Sequence, residues 1–419
     1  MKNDKKNRLE TLLSRSALAA VVMVGSATVQ AESVFVGHLA DLSGATSFVG
    51  KSYAQGVTDA LNYVNQNGGI DGVTLEYETH DYAYKIPQAI GTYKRWKASK
   101  GMVAMQGWGT GDTEALISFV ARDEVPNFSA SYSAHLTDPQ GKNPETKKPA
   151  PYNFFYGPSY SDGARALVTW AREDWDKRKQ DRDPVFVFAG TDKPYAESMR
   201  PAAESRAREL GFVVKPNLVV PLGAGDKTAA CLSIKNTGAD YVFNGNLGGA
   251  VLAMLRDCEK VGVTATIVSN VWGVDRGLLV AAKPSQPIIT VAATPSWESD
   301  VEGMSLVRKI SALSDPEGNE ARNHHYLRGV CSVFYMKEAM QWAKANGGIT
   351  GPNIKQGMYQ KKDWVPEGLN GVCQPSTWTA EDHRGTMNVN IIQARYDGKP
   401  LMSSVAVVPV ERRAEWLGN

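Results

Sequence analysis

Residues 107 to 116, GWGTGDTEAL, follow the apolar run Met102 to Met105 and put three glycines, an indole, a hydroxyl and an acid where a strand hands over to a helix. Bare backbone there lets N–H groups approach an anion, and a helix N-terminus favours negative charge. A dinucleotide fingerprint needs G-x-G-x-x-G and a phosphate loop ends in Gly-Lys-Ser/Thr. The glycines at 107, 109 and 111 satisfy neither pattern. Asp112 is expected to cap the following helix rather than to bind a cation, because Asp is favoured at helix starts. His324-His325 is a poor metal pair, since adjacent side chains on a helix diverge by about 100°. Asp382-His383-Arg384 could move a proton, yet the chain has no G-x-S-x-G elbow, no H-E-x-x-H, and no Ser or Cys marked by a neighbouring base. A binding protein without metal or cofactor is therefore expected over an enzyme.

The chain has 419 residues, and residues 1–31 read as an export signal. Lys2, Lys5, Lys6, Arg8 and Arg15 precede the apolar stretch ALAAVVMVGSA, and Val29-Gln30-Ala31 forms a small-residue cleavage site. Such a core is too short to span a bilayer. Removing the leader's +3 from the chain's +2 leaves a formal charge of −1, which gives no case for nucleic acid or an anionic membrane as partner. The expected location is the periplasm, as a monomer. Cys231, Cys258, Cys331 and Cys373 contain no C-x-x-C pair, so one or two disulfides are expected in an oxidising compartment, with Cys331–Cys373 as the first pairing to consider.

Roughly 390 residues exceed one ordinary core and suit two domains. Strand-like runs alternate with helical ones from Ser33: SVFVGHLADL, VTLEYETHDY, MVAMQG and VPNFSAS in a first series, then FFYGPSY, PVFVFAG, FVVKPNLVV and DYVFNGNL after the Pro/Lys/Gly-rich 137–151. This predicts an α/β fold of two doubly wound parallel-sheet lobes. PIITVAATP is a further strand, LRGVCSVFYMKEAMQWAKANGG a long helix, and the terminal segment a hairpin around Asp397-Gly398. The expected division is 32–153 plus about 278–366 for lobe 1, and 154–277 plus about 367–419 for lobe 2. Ligands of open α/β sheets bind beyond the carboxyl ends of the strands. The unusual loops lie there: LSGATSFVGKSYAQG, GWGTGD, SASYSA, TDKPYAES, NGNLGGA and NVWGVD. Trp108 and Tyr195 are the leading stacking candidates, with Tyr132, Tyr156, Trp272 and Asn246 beside them.

The order and spacing of these stretches carry a resemblance. Leu-Ser-Gly at 42–44 with glycines at 50 and 56, NQNGGIDG, DYAYKIPQAIGTYKRW, TDKPYAES and the closing TWTAEDHRG resemble the periplasmic solute-binding proteins of ABC importers, of type I and the leucine/isoleucine/valine-binding family. The resemblance implies a three-crossover hinge, a small-molecule ligand between the lobes, and a permease and ATPase in the inner membrane as partners. It also implies roles: backbone at Gly109 and Gly111 and the hydroxyl of Thr110 meet an anionic or carbonyl end, Ser131 and Ser133 complete that clamp, and Phe48 and Val49 form an apolar wall.

Amino-acid binders of this family place an acid in the turn after the strand matching DYVFNGNL, where it pairs with the ligand ammonium. Here the matching position falls near Ala250, with no Asp or Glu from Tyr241 to Arg256. The expected ligand is thus an apolar or aromatic carboxylate or an amide, unless Asp192 or Asp275 substitutes. An exported amidase-like hydrolase and a ligand-presenting sensory module stay open as alternatives.

Overall fold

The computed structural model describes residues 32–146 and 148–419, so the expected leader lies outside the described residues. The first run comprises β1 (Ser33–Ala40), α1 (Ser47–Gln66), β2 (Thr74–Asp81), α2 (Ile86–Lys100), β3 (Ala104–Gly107), α3 (Thr110–Arg122), β4 (Asn127–Ser129) and β5 (Asn153–Phe155). Its strands form one parallel sheet in the order β2-β1-β3-β4-β5.

The second run continues with α4 (Tyr160–Lys177), β6 (Val185–Gly190), α5 (Pro194–Glu197), α6 (Arg200–Glu209), β7 (Val213–Val214), β8 (Leu218–Val219), α7 (Thr228–Asn236), β9 (Tyr241–Gly245), α8 (Gly248–Lys260), β10 (Thr266–Ser269), α9 (Arg276–Ala282) and β11 (Ile288–Ala292). Three helices follow, α10 (Met304–Ser311), α11 (His324–Ala345) and α12 (Gly351–Met358), then the hairpin β12 (Asn388–Asp397) and β13 (Lys399–Pro409). The second sheet runs β13-β12-β11-β10-β9-β6-β7, with β8 also on β6. It is parallel except where the hairpin joins β11 antiparallel. The chain thus passes between the sheets three times: after Phe155, after Ala292, and between Met358 and Asn388.

Several expectations need correction. β5 pairs with β4, so the first crossing falls after it and not at 153. β11 pairs with β10 and β12, which moves the expected boundary near 278 to beyond Ala292. Residues 367–387 do not yet belong to the second sheet: Trp378 packs edge-on against Tyr335 of α11 at 5.0 Å, and His383 stacks on Phe154 of β5 at 4.5 Å. The helical stretch between PVFVFAG and FVVKPNLVV is not continuous but breaks into α5 and α6 just before Pro201, whose ring would clash with a continuous turn. FVVKPNLVV is likewise split by Pro216 into β7 and β8, because proline cannot donate to a ladder. α9, α10 and α12 were not legible as separate helices.

α11 is the element on which the crossings converge. Asn323 caps it, its side chain accepting from the N–H groups of His325 and Tyr326. It packs against α1 backbone to backbone: a Cβ on Gly56 would stand 2.1 Å from the Tyr326 carbonyl oxygen, and one on Gly329 2.5 Å from that of Tyr53. Only glycine permits this approach. The third crossing is fastened to the same helix by the Cys331–Cys373 disulfide and by the Tyr335 hydroxyl, whose single proton is shared between the carbonyls of Trp364 and Gln374, 2.7 and 2.8 Å away. A second disulfide, Cys231–Cys258, joins α7 to α8.

The Cys331–Cys373 bridge spans 42 residues. Loop-closure entropy gives such a bridge about 4 kcal/mol. Replacing both cysteines by Ser is expected to lower the urea midpoint accordingly with the slope little changed, measured by circular dichroism. An unaltered midpoint would show that the Tyr335 and Trp364 contacts alone fix the crossing.

Candidate functional site

The loops at the carboxyl ends of β1, β2, β3, β4, β6, β9 and β10 meet between the sheets around a cavity of about 20 Å³. Thr46, Val49, Tyr84, Trp108, Gly109, Thr110 and Ala130 line it from the first lobe, and Tyr160, Tyr195, Leu247 and Trp272 from the second. None of the eleven carries a formal charge. Sites for small organic ligands usually enclose about 300 Å³ or more. In this closed form the aromatic rings fill the space instead: Trp108 and Trp272 meet edge to face at 5.2 Å, and Tyr160 and Tyr195 at 5.1 Å. A ligand can enter only if the lobes part.

Hydrogen bonds hold the walls. The Trp108 indole N–H donates to Thr46 Oγ1 at 2.8 Å, and that hydroxyl donates to Asp41 at 2.6 Å. Asp41 also accepts the N–H groups of Gly44 and Thr46, which folds the loop after β1 into place. Trp272 Nε1 donates to the Tyr160 hydroxyl at 3.0 Å. Tyr84 is presented from the loop after β2 by two consecutive left-handed residues, Ala83 at φ 51° and Tyr84 at φ 56°. Such conformations cost non-glycine residues about 1–2 kcal/mol each.

The expected residues divide. Trp108, Gly109, Thr110, Tyr195 and Trp272 all line the cavity, and Ser131 stands behind it, donating to Thr110 Oγ1 at 3.1 Å. Phe48 does not line it: its side chain is 43% exposed and lies on the rim against Gly248, while Val49, one residue on, faces inward. Ser133 turns away to Glu114 at 2.7 Å. Tyr156 lies in the first crossing, where its hydroxyl donates to Ala293 O and accepts from the Gln374 N–H. Asn246 bonds to Val220 O behind β9, leaving its neighbour Leu247 in the wall. Tyr132 sits behind Trp272 at 5.7 Å, stacked on Phe155. Tyr84, Tyr160, Thr46 and Leu247 were missed as wall residues, although each lies within two residues of a quoted loop or strand end.

The bare backbone at Gly109 has a different first cause from the one expected. Its N–H already donates to the Tyr82 hydroxyl at 3.2 Å, and a Cβ there would meet Asp112 and the ring of Tyr84 at 2.4 Å. The glycine makes room for tyrosines. Asp112 is not the residue preceding α3 but its third, and it accepts from Tyr82 at 2.8 Å. Burial drives its carboxyl up to about 7, against the opposing hydrogen bond from Tyr82. The two candidate substitutes for the missing acid are elsewhere. Asp192 is exposed beside Lys193, and Asp275 caps α9, accepting from the Leu278 N–H. His324 and His325 are buried and held neutral by that burial, and among the described residues no cluster of three metal-ligating side chains occurs.

A carboxyl raised in the folded state holds its proton where the unfolded chain has lost it. Stability from Asp112 is therefore complete below the unfolded value near 4 and falls as pH rises toward 7. The Asp112→Asn variant should show a flatter fall in unfolding free energy between pH 4 and 7, by about 1–4 kcal/mol over that range. Chemical denaturation at several pH values measures it, and parallel wild-type and variant curves would refute a buried neutral carboxyl.

Residues 33–399 match the family model described as periplasmic binding protein. A curated relative, the amino acid binding protein of Pseudomonas aeruginosa, is 23% identical over 84% of this chain and 91% of its own. Among solved structures, an ABC transporter substrate-binding protein of Aeropyrum pernix superposes with a TM-score of 0.81 at 24% identity, covering 92% of this chain and 98% of the other. A branched-chain amino acid ABC transporter protein of Thermus thermophilus with bound valine gives 0.79 at 18% identity, covering 92% and 98%. A solute-binding protein of R. palustris in complex with 4-hydroxybenzoate gives 0.74 at 14%, covering 92% and 99%. With the family model running from β1 to the end of β12 and over all three crossings, the chain belongs to the periplasmic binding protein family.

Proposed function

We propose that this protein is the extracytoplasmic substrate-binding component of an ABC importer of the branched-chain amino acid/amide type, working as a monomer in the periplasm. It closes two lobes on a small ligand and presents it to a permease and ATPase in the inner membrane. Export fits the two disulfides and the leader-like residues 1–31. Of the relatives named above, the Pseudomonas aeruginosa protein is an amino acid binding protein, the Thermus thermophilus protein holds valine and the R. palustris protein holds 4-hydroxybenzoate.

The absence of any carboxylate from the cavity wall carries the choice between those classes. A buried ammonium without a carboxylate loses several kcal/mol. Asp112 does not fill the gap, because it does not line the cavity: it lies behind Gly109, with one oxygen taken by the Tyr82 hydroxyl. The ligand is an apolar or aromatic carboxylate or amide that lacks the ammonium group, sandwiched between Trp108 and Trp272. A hydrolase in the same cleft gains no support. Ser131 donates to Thr110, and Ser133 donates to the Glu114 carboxylate, which also pairs with His135; neither serine lines the cavity, so neither hydroxyl is presented to a ligand there.

A thermal-shift and calorimetry panel of leucine, valine and phenylalanine against their deaminated analogues and aromatic acids tests the reading. A ligand at a hundredfold excess over its dissociation constant adds about 2.7 kcal/mol of stability. Shifts from deaminated compounds alone, with the compound recovered unaltered, are expected. Tight leucine binding would overturn the ligand class, and turnover of any compound would overturn the binding role.

A further inference from the structure

Behind the indole of Trp272 lies a positive charge that the cavity wall does not reveal. Arg328, on the second turn of α11, is completely buried. Its Nη2 donates to the carbonyl of Val271 at 2.8 Å, and its guanidinium carbon lies 4.6 Å from the centre of the Trp272 ring. Its Nε and Nη1 find no acceptor among the described residues. Asp275 is within electrostatic reach but makes no ion pair with it; that carboxylate lies 3.2 Å from His325 Nε2 and accepts from Leu278.

The surroundings suit an anion. The hydroxyls of Tyr132, Tyr156, Tyr160 and Tyr195 face the guanidinium's field, and that of Tyr132 is buried without a partner among the described residues. An arginine keeps its charge, so burial without an opposing carboxylate is costly, and one cation–π contact offsets only part of that cost. Unsatisfied buried donors of this kind call for an explanation in a native protein.

We propose that Arg328 is the counter-charge for a carboxylate on the ligand, reached when the Trp272 indole moves off the guanidinium as the lobes open and reclose around the ligand. The proposal rests on the cleft-binding reading above and adds the group that selects acid over amide. The two free guanidinium nitrogens and the phenol donors supply hydrogen bonds to the carboxylate oxygens, while Trp108 and Tyr195 hold the apolar body. A single positive charge in an aromatic enclosure matches a monocarboxylate. It would leave a doubly charged phosphate half neutralised.

The test uses matched acids and amides: benzoate with benzamide, 4-hydroxybenzoate with 4-hydroxybenzamide, and 4-methylpentanoate with its amide, titrated by calorimetry into the wild-type protein, Arg328→Gln and Arg328→Lys. The wild type is expected to prefer the acid of its best pair by about tenfold or more. In Arg328→Gln the acid should weaken by about tenfold or more while the amide changes by less than about threefold, and the unliganded melting temperature should match or exceed the wild type's. If Arg328→Gln gives no cooperative melt, Arg328→Lys carries the test: loss of acid affinity of about tenfold with the amide unchanged supports the assignment, because the planar fork is gone. Acid affinity unchanged in the folded variant, or a wild type binding amides as tightly as acids, overturns Arg328's role and leaves the cleft reading intact. Leucine, titrated alongside as the zwitterionic control, binding when no acid or amide does, or no compound binding at all, overturns both.

Discussion

The closed arrangement depends on where one indole is kept. Trp272 comes from the loop after β10 in the second lobe, yet its ring meets Trp108 at 5.2 Å, Tyr132 at 5.7 Å and Tyr53 at 5.8 Å, all from the first. His325 stacks beneath it at 4.9 Å and Arg328 lies against its face. Burying an indole contributes at most about 4–6 kcal/mol by area. Parting the lobes must expose much of that surface. The differential affinity of a ligand for the two states acts against an energy of this size.

Everything around Trp272 serves to keep its partners from yielding. Trp108 is pinned through Thr46 to Asp41, whose carboxylate also takes the backbone N–H groups of its own loop. Tyr53 is set by the glycine-to-glycine crossing of α1 and α11, and the same crossing fixes where Arg328 and His325 point. α11 is in turn bound to the third crossing by a disulfide and by Tyr335. The helix to which the crossings are fastened also carries the His325 and Arg328 that back Trp272, so lobe movement and the chemistry behind the cavity are not independent.

How much of this the sequence disclosed follows from what each signal depends on. The alternation of apolar strands and amphipathic helices is local, and it gave two parallel sheets. Assigning β11 to the first lobe failed because pairing with β10 and β12 is non-local, and nothing within Ile288–Ala292 says which neighbour it will find. At the cavity wall, Trp108, Thr110, Tyr195 and Trp272 could be picked out because each follows a strand end beside glycine or small polar residues. Phe48 and Val49 were both named, but which of two adjacent residues faces inward depends on the exact start of α1, which is Ser47. Tyr156 and Ser133 misled for the same reason: a one-residue step rotates a side chain to another face. Arg328 carried no signal at all. On a helix an arginine ordinarily reaches water, and only the packing of α11 between the lobes buries it.

The electrostatics of the cleft follow from burial acting on each group by sign. Desolvation favours the neutral form of Asp112, removing a negative charge, and the neutral forms of His324 and His325, removing positive ones. The same burial lowers the affinity of Arg328 for its proton, yet a guanidinium starts so far above neutrality that it stays charged. The guanidinium is therefore a fixed positive charge at the back of the cavity, with the buried Asp275 carboxyl, raised by desolvation, within its electrostatic reach. A zwitterion brought against that charge has one end it favours and one it repels, with no acid in the wall to hold the second. A monocarboxylate has only the first.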